Sequence, residues 1–360
     1  MKTTDDAAAA LGIAGAACPT PHVEAERVLL GHGSGGLLSS ELLRDVIIPA
    51  LGPAAPGGAL EDGAVVHVTS QDLVLSTDSF VVSPLFFAGG DIGTLAVHGT
   101  VNDLAMMGSL PVALTVAFVI EEGFPMADLR RVCASIGAAA SAVGAPVVTG
   151  DTKVVGKGAA DGLFVTTTGL GRRLPQLNPS AERAEVGDVV IVSAPIGSHG
   201  TTILSTRAGL AFEADIASDT RPLHWLVATM ATVAGDEIHV LRDPTRGGVA
   251  STLNEIAQSS KVRIRLEESA IPVPPAVSAV CEMLGLDPLH VANEGCLLAV
   301  VTRDAADRVL AVMRTLREGH EARVIGEVIE GAGPRVVMRT RIGSTRIVDM
   351  LVGEQLPRIC

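Results

Sequence analysis

A chain of 360 residues with a formal net charge of −13 is long enough for about two domains and too acidic to offer the basic footprint that nucleic acid requires, so no nucleic-acid partner is expected. No apolar run reaches the roughly 18 residues of a membrane span, so no membrane association is expected. The five cysteines (18, 133, 281, 296 and 360) are scattered without a CxxC, which excludes a secreted disulfide framework. With one Trp, no Tyr and seven Phe, the core must be built from Val, Leu, Ile and Ala.

Residues 1–24 are rich in Ala and Gly and read as a disordered extension, since Asp5 and Asp6 stand where a signal peptide wants positive charge. A strand over 25–30, the run Gly31-His32-Gly33-Ser34-Gly35-Gly36 and a helix over 37–50 match G-x-G-x-x-G between strand and helix, the dinucleotide-binding fingerprint. That fingerprint needs an acid closing a second strand about twenty residues on. Glu61 and Asp62 instead precede the strand over 65–68, so a NAD-dependent oxidoreductase lacks its ribose anchor. Successive glycine N–H groups still suit a phosphate; a ligand-free glycine turn is the alternative.

A strand over 73–77 ends in Asp78. The helix over 91–107 carries Asn102 and Asp103, and Asp103 shares a face with Ile92, Ala96, Gly99 and Met106. An acid on a small, apolar face is costly unless paired or metal-bound, which makes Asp103 a ligand candidate. After a strand over 112–120, Pro125 opens a helix stopped by Gly144, with Leu129, Val132, Cys133, Ile136, Ala140 and Val143 on one face; Cys133 is expected in the core. A strand over 146–149 runs into Gly150-Asp151-Thr152-Lys153. Asp151, Thr152 and Lys153 could meet a metal, a phosphate oxygen and a phosphate charge, or form an ordinary polar turn.

Residues 172–187, with Pro175 and Pro179, read as a linker between domains over 25–172 and 173–345. Past a strand over 189–193, Gly197-Ser198-His199-Gly200 leads into a helix; His199 is either a ligand contact or a hydrogen-bonded turn residue. Asp243-Pro244-Thr245-Arg246-Gly247-Gly248 opens another helix, with a fourth candidate carboxylate in Asp243 and glycines that let backbone approach a ligand. Cys281 falls on a helical face with Val277, Val280 and Leu284. Glu294, in Asn293-Glu294-Gly295, is a base or a turn residue.

The last residue is Cys360, in a tail over 346–360 expected to be mobile. A terminal cysteine is not a prenylation signal, which needs Cys four residues from the end. It is either an incidental thiol or a covalent carrier, and about ten extended residues span roughly 30 Å, enough to visit a cleft and leave. An acidic protein that handles ATP relies on Mg²⁺ held by carboxylates, and Asp78, Asp103, Asp151 and Asp243 could supply them beside Lys153. Neither a G-x-x-x-x-G-K-[ST] loop nor a kinase HRD or DFG set is present.

Taken together, residues 32–36, 76–79, 102–103, 149–154, 243–248, 293–295 and 357–360 resemble the HypE family of hydrogenase maturation proteins, within the superfamily of aminoimidazole ribonucleotide synthetase and selenophosphate synthetase. The resemblance runs from about residue 25 to the end. It implies a two-domain, PurM-like α/β (α+β) ATP-binding fold in the cytoplasm, and a homodimer whose N-terminal domains share a β-barrel. By the same resemblance Cys360 receives a carbamoyl group from the carbamoyltransferase HypF. ATP then dehydrates the thiocarbamate to a thiocyanate, and the cyano group passes to iron on a HypC–HypD complex. His32, Gly33, Ser34, Gly35, Gly36, Asn102, Thr152, Lys153, Gly247 and Gly248 would hold the nucleotide, and Asp78, Asp103, Asp151 and Asp243 the Mg²⁺. Cys360, Lys153 and Glu294 would be catalytic, with Glu294 removing a proton. Another ATP-dependent synthetase of the superfamily, or a non-catalytic nucleotide-binding scaffold, is the competing reading.

Overall fold

The computed structural model describes residues 36–41, 44, 64–68, 71–207, 216–351 and 358–360. The extension over 1–24, the glycine loop from His32 to Gly35, most of the helix expected over 37–50 and the tail over 352–357 lie outside the described residues. Of that first region the described parts are the helix α1 (Leu37–Glu41), the buried Gly36 that leads into it and the exposed Arg44.

The first sheet is built from β1 (Ala64–Val68), β2 (Gln71–Phe80), β5 (Ser109–Glu121), β6 (Val147–Val155) and β7 (Leu163–Arg173), in the order β1-β2-β7-β5-β6. A two-stranded ribbon, β3 (Phe86–Phe87) with β4 (Gly90–Asp91), stands apart. Neighbours are antiparallel except β5 and β6. A parallel pair needs a long crossover, which the helix α3 (Met126–Val143) supplies. Before β5 comes α2 (Ile92–Met106), started by a capping box in which Asp91 accepts from the Gly93 and Thr94 N–H groups. Leu95, Ala96, Val97, Val101, Leu104 and Ala105 are all buried, and so are Thr100 and Asn102, so α2 is covered on most of its circumference, as an interior helix is. It packs on β2, β7 and α3, and also on the second half of the chain.

That half is a seven-stranded sheet of β8 (Val189–Val192), β9 (Ile238–Arg242), β10 (Arg263–Glu267), β11 (Leu298–Val301), β12 (Arg323–Ile329), β13 (Arg335–Arg339) and β14 (Thr345–Val348), ordered β14-β13-β10-β12-β8-β11-β9. Every residue of β8 and β11 is buried, because both faces are covered. Val249, Leu253 and Ile256 of α6 (Gly248–Ser260) pack on one side. Leu226, Val227 and Met230 of α5 (His224–Ala234), with Val309 and Met313 of α8 (Arg303–Met313), pack on the other. The helices α4 (Ser198–Arg207) and α7 (Pro275–Leu284) complete the α/β layer. Cys281 is buried there with Val277 and Val291, as expected.

Two expectations are corrected. Cys133 is exposed rather than in the core: the buried stripe of α3 runs through Val132, Ile136, Ala139, Ala140 and Val143, and a position one residue past Val132 is turned about 100° off it. Asp151, Thr152 and Lys153 are not at a strand's end but inside β6, which continues to Val155. Gly150 permits this, since a Cβ there would lie 2.2 Å from the Val116 carbonyl of β5.

Candidate active site

The chain's last three residues lie against the start of the segment after β2. The Val81 N–H donates to a Cys360 oxygen at 3.1 Å and the Ser83 N–H to the Arg358 carbonyl at 3.3 Å. Arg358, in left-handed backbone at φ 50°, returns its Nε–H to the Val81 carbonyl at 3.0 Å and pairs with Asp161. Arg207, at the end of α4, donates to the carbonyls of Arg358 and Ser83. Ile359 is 2% exposed and sits in an apolar cluster with Phe80 and Val82 of the first domain and Ile203 of the second, a burial that stabilises the docked end by about 1.5–3 kcal/mol. The described end of the tail is therefore seated.

This seat puts the Cys360 thiol into a pool of acid. Burial raises its pKa far above the usual thiol range; Glu294 adds to the rise, Arg246 opposes it, and Asp78 and Asp243 add further. The same groups perturb one another. Burial, then Asp243, Asp219 and Asp78, lift Glu294 well above the carboxylate range. Asp243 is pushed up to about 6, by burial first, with Arg242 opposing and Asp78 contributing. Asp78 is raised by burial against the pull of Arg246. Arg246 is the cation in the middle, its proton held more tightly by Cys360, Asp78, Glu294 and Asp103. Asp103 stands at the edge of this group, where it accepts a 2.6 Å hydrogen bond from the Ser76 hydroxyl.

The elements explain the convergence. Asp78 comes from β2 and Asp103 from the face of α2 that meets it. Asp243 and Arg246 follow β9 on the loop that opens α6. There Gly248 is at φ 61°, and a Cβ would lie 2.5 Å from the Leu289 carbonyl. Glu294 precedes β11, and its backbone is clamped: Asp219 accepts from the Glu294 and Gly295 N–H groups, both at 3.1 Å. Its Oε1 is buried with no hydrogen-bond partner in the described structure, and such an atom costs about 1–3 kcal/mol.

Other expected site residues stand elsewhere. Asp151 and Lys153 form an ion pair at 2.7 Å on the exposed β6, and neither figures among the charges that perturb the acid group. Thr152 lies between them, its N–H donating to Asp151 at 2.8 Å. Asn102, expected at the nucleotide, has its amide committed to protein: it donates to the Arg221 carbonyl at 3.1 Å and the Glu294 carbonyl at 3.4 Å, and accepts from the Leu223 N–H at 2.8 Å. It braces Glu294. Gly247 and Gly248 begin α6 beside Asp243. Asp219 and Arg246 are the residues that sequence reasoning passed over as site members. Arg246 was visible inside the quoted 243–248 motif, whereas nothing local marked Asp219.

Among the described residues, no three of His, Cys, Asp or Glu stand together as a ready metal cluster. Mg²⁺ does not need one, since it keeps several waters and takes one or two carboxylates plus substrate phosphates. The half-buried Asp78 and the buried Asp243, whose proton affinity Asp78 helps to raise, fit that mode.

The family model described as AIR synthase related protein, N-terminal domain, matches residues 60–173, and its C-terminal counterpart matches residues 185–339. A protein of Bradyrhizobium diazoefficiens named carbamoyl dehydratase HypE is 52% identical over 333 residues, 92% of this chain and 95% of that one. The chain belongs to the HypE family. Solved HypE structures agree with this assignment. A HypE–HypF complex superposes with a TM-score of 0.81 at 44% identity, covering 86% of this chain and 99% of that one. HypE in complex with ATP gives 0.78 at 45%, covering 93% and 100%. A thiamine monophosphate kinase at 19% identity and a TM-score of 0.63 shares the fold alone. Among the described residues no helix is long and apolar enough to cross a membrane.

Proposed function

We propose that this ATP-dependent carbamoyl dehydratase of hydrogenase maturation works on its own Cys360. The S-carbamoyl group carried there loses water to become an S-cyano group. The observation that carries the reading is the seating of a terminal thiol beside the unpartnered carboxyl oxygen of Glu294, among carboxylates suited to Mg²⁺.

The electrostatics divide the work in two. A half-buried thiol with raised pKa is a poor nucleophile in its seat, so loading belongs to an undocked tail in water, where the thiolate is accessible. Once carbamoylated the sulfur is neutral, and the acid group that repels a thiolate accepts it without that penalty. Glu294 is then placed to take a proton from the carbamoyl nitrogen, and its raised proton affinity makes it a stronger base than an ordinary carboxylate. Arg246 is the protein's own positive charge beside the sulfur.

ATP supplies the activation: an amide oxygen is a poor leaving group, and a phosphorylated one departs as phosphate. Asp78 and Asp243 would hold Mg²⁺, with Asp103 adjoining. Lys153, Thr152, Asp151, Gly247, Gly248 and the loop from His32 to Gly36 are proposed to bind the nucleotide's phosphates and metal. A homodimer is proposed because, among the described residues, β6 is a sheet edge that exposes Val147, Val148 and Val154, and an open apolar edge invites a second strand. A HypF-type carbamoyltransferase as donor and a HypC–HypD iron complex as acceptor complete the proposal. The solved HypE–HypF complex supports the first of these partners.

The test is direct. Full-length protein is incubated with carbamoyl donor, carbamoyltransferase and ATP–Mg²⁺, and the C-terminal peptide is weighed. Gain of a carbamoyl group followed by loss of one water is expected, and an unmodified Cys360 would refute the proposal.

A further inference from the structure

The seat of the tail depends on a histidine for which the chemistry above has no use. His199, at the start of α4, is 0% exposed. Its Nε2 lies 2.7 Å from the Ile359 carbonyl oxygen and its Nδ1 lies 2.8 Å from the Ser218 hydroxyl. The ring meets Phe87 edge-on, centroids 5.6 Å apart. A carbonyl can only accept, so Nε2 carries the proton. Burial, outweighing the pull of Asp219, lowers the imidazole pKa. The ring is therefore neutral, and Nδ1 accepts from Ser218. Ser218 is itself fixed: its hydroxyl oxygen accepts from the Thr220 N–H at 3.2 Å, and its own N–H donates to the Ala88 carbonyl at 2.8 Å. Ala88 lies in the β3–β4 turn of the first domain, so the donor that reaches Ile359 is oriented from both halves of the molecule.

The consequence falls one residue further on. Ile359 anchors the tail by its side chain in the apolar cluster of Phe80, Val82 and Ile203, but an apolar pocket tolerates sliding and rotation that a directional bond does not. Consecutive Cα atoms are about 3.8 Å apart, so a carbonyl that turns at 359 swings the terminal sulfur away from its neighbours.

We propose that His199 is a positioning residue for the dehydration: its Nε2–H fixes the Ile359 carbonyl and thereby delivers the Cys360 sulfur to Asp78, Asp243 and Glu294. This role rests on the reading of Cys360 as the reacting group, yet the seat itself can be measured without turnover. Phe at 199 keeps a ring against Phe87 and removes the donor; Gln restores an N–H near the position of Nε2.

The experiment is timed alkylation of the full-length protein with N-ethylmaleimide, a small neutral reagent, in the absence of nucleotide. Modification is read by mass on the C-terminal peptide, with the peptide of exposed Cys133 as internal reference. Loss of one buried hydrogen bond should raise Cys360 alkylation about tenfold relative to Cys133 in His199→Phe, and His199→Gln should stay within about twofold of the parent protein. A Phe variant as slow as the parent, or a Gln variant as fast as Phe, overturns the proposal. Ser218→Ala keeps the ring and releases its tautomer, which guards against misfolding of the Phe variant. A severalfold rise there supports the proposal, and an unchanged rate overturns it. If alkylation follows the expected order while no carbamoyl group is ever dehydrated, the seat stands and the chemistry assigned to Cys360 falls.

Discussion

Two sets of charged residues differ in how complete their surroundings are. Around Cys360, Asp78, Asp103, Asp243, Glu294 and Arg246 are gathered from β2, α2, the β9–α6 loop and the turn before β11, and burial raises the proton affinity of Asp78, Asp243 and Glu294. On β6, Asp151 and Lys153 satisfy each other in the open, and the Asp151 carboxyl is held below its usual range first by that lysine. The first set is finished by the fold of one chain. The second stands on the strand that ends the sheet among the described residues, beside exposed valines, so on the homodimer proposed above its environment comes from whatever is laid across that edge.

The difference predicts unequal consequences. The largest is for Glu294→Gln, which keeps the shape and removes the base: single-turnover dehydration of the carbamoylated protein should fall about 10²-fold or more, and full activity would take Glu294 out of the role. Next, Val148→Asp on β6 should turn a dimer into a monomer by light scattering while leaving the far-UV circular dichroism intact. An unchanged mass would show that β6 is not the joint.

A third prediction concerns pH. The folded pKa of Asp243, about 6, lies above its ordinary 3.8, so its contribution to stability is full below about pH 4 and lost as pH rises through about 6. A cation that neutralises the acid group reverses this loss. The rise in melting temperature produced by Mg²⁺ should therefore be larger at pH 8 than at pH 5, and Asp243→Asn should flatten that dependence; a gain equal at both pH values would break the link.

Smaller again is Gly150→Ala. Its Cβ would press on the Val116 carbonyl, and a loss of about 1–3 kcal/mol is expected in urea unfolding. Smallest is Cys133→Ser, on the exposed side of α3, which should stay within about 0.5 kcal/mol of the parent by the same measurement. A large loss would return that cysteine to the core.

The sequence by itself carried the motifs, the α/β class and the terminal cysteine, because strand and helix periodicity, glycine turns and chain position are all local properties. It also paired Asp103 with an interior helix face, since an acid among Ile92, Ala96 and Gly99 is conspicuous wherever the helix goes. Other facts were decided only by tertiary structure. Which carboxylates share one electric field, that Asn102 spends its amide on Glu294, that Asp219 clamps the same residue, and that His199 grips the chain 160 positions away are contacts between residues far apart in the sequence. No spacing along the chain encodes them, because burial and Coulomb interaction depend on distance in space, and that distance exists only once both sheets have packed against α2.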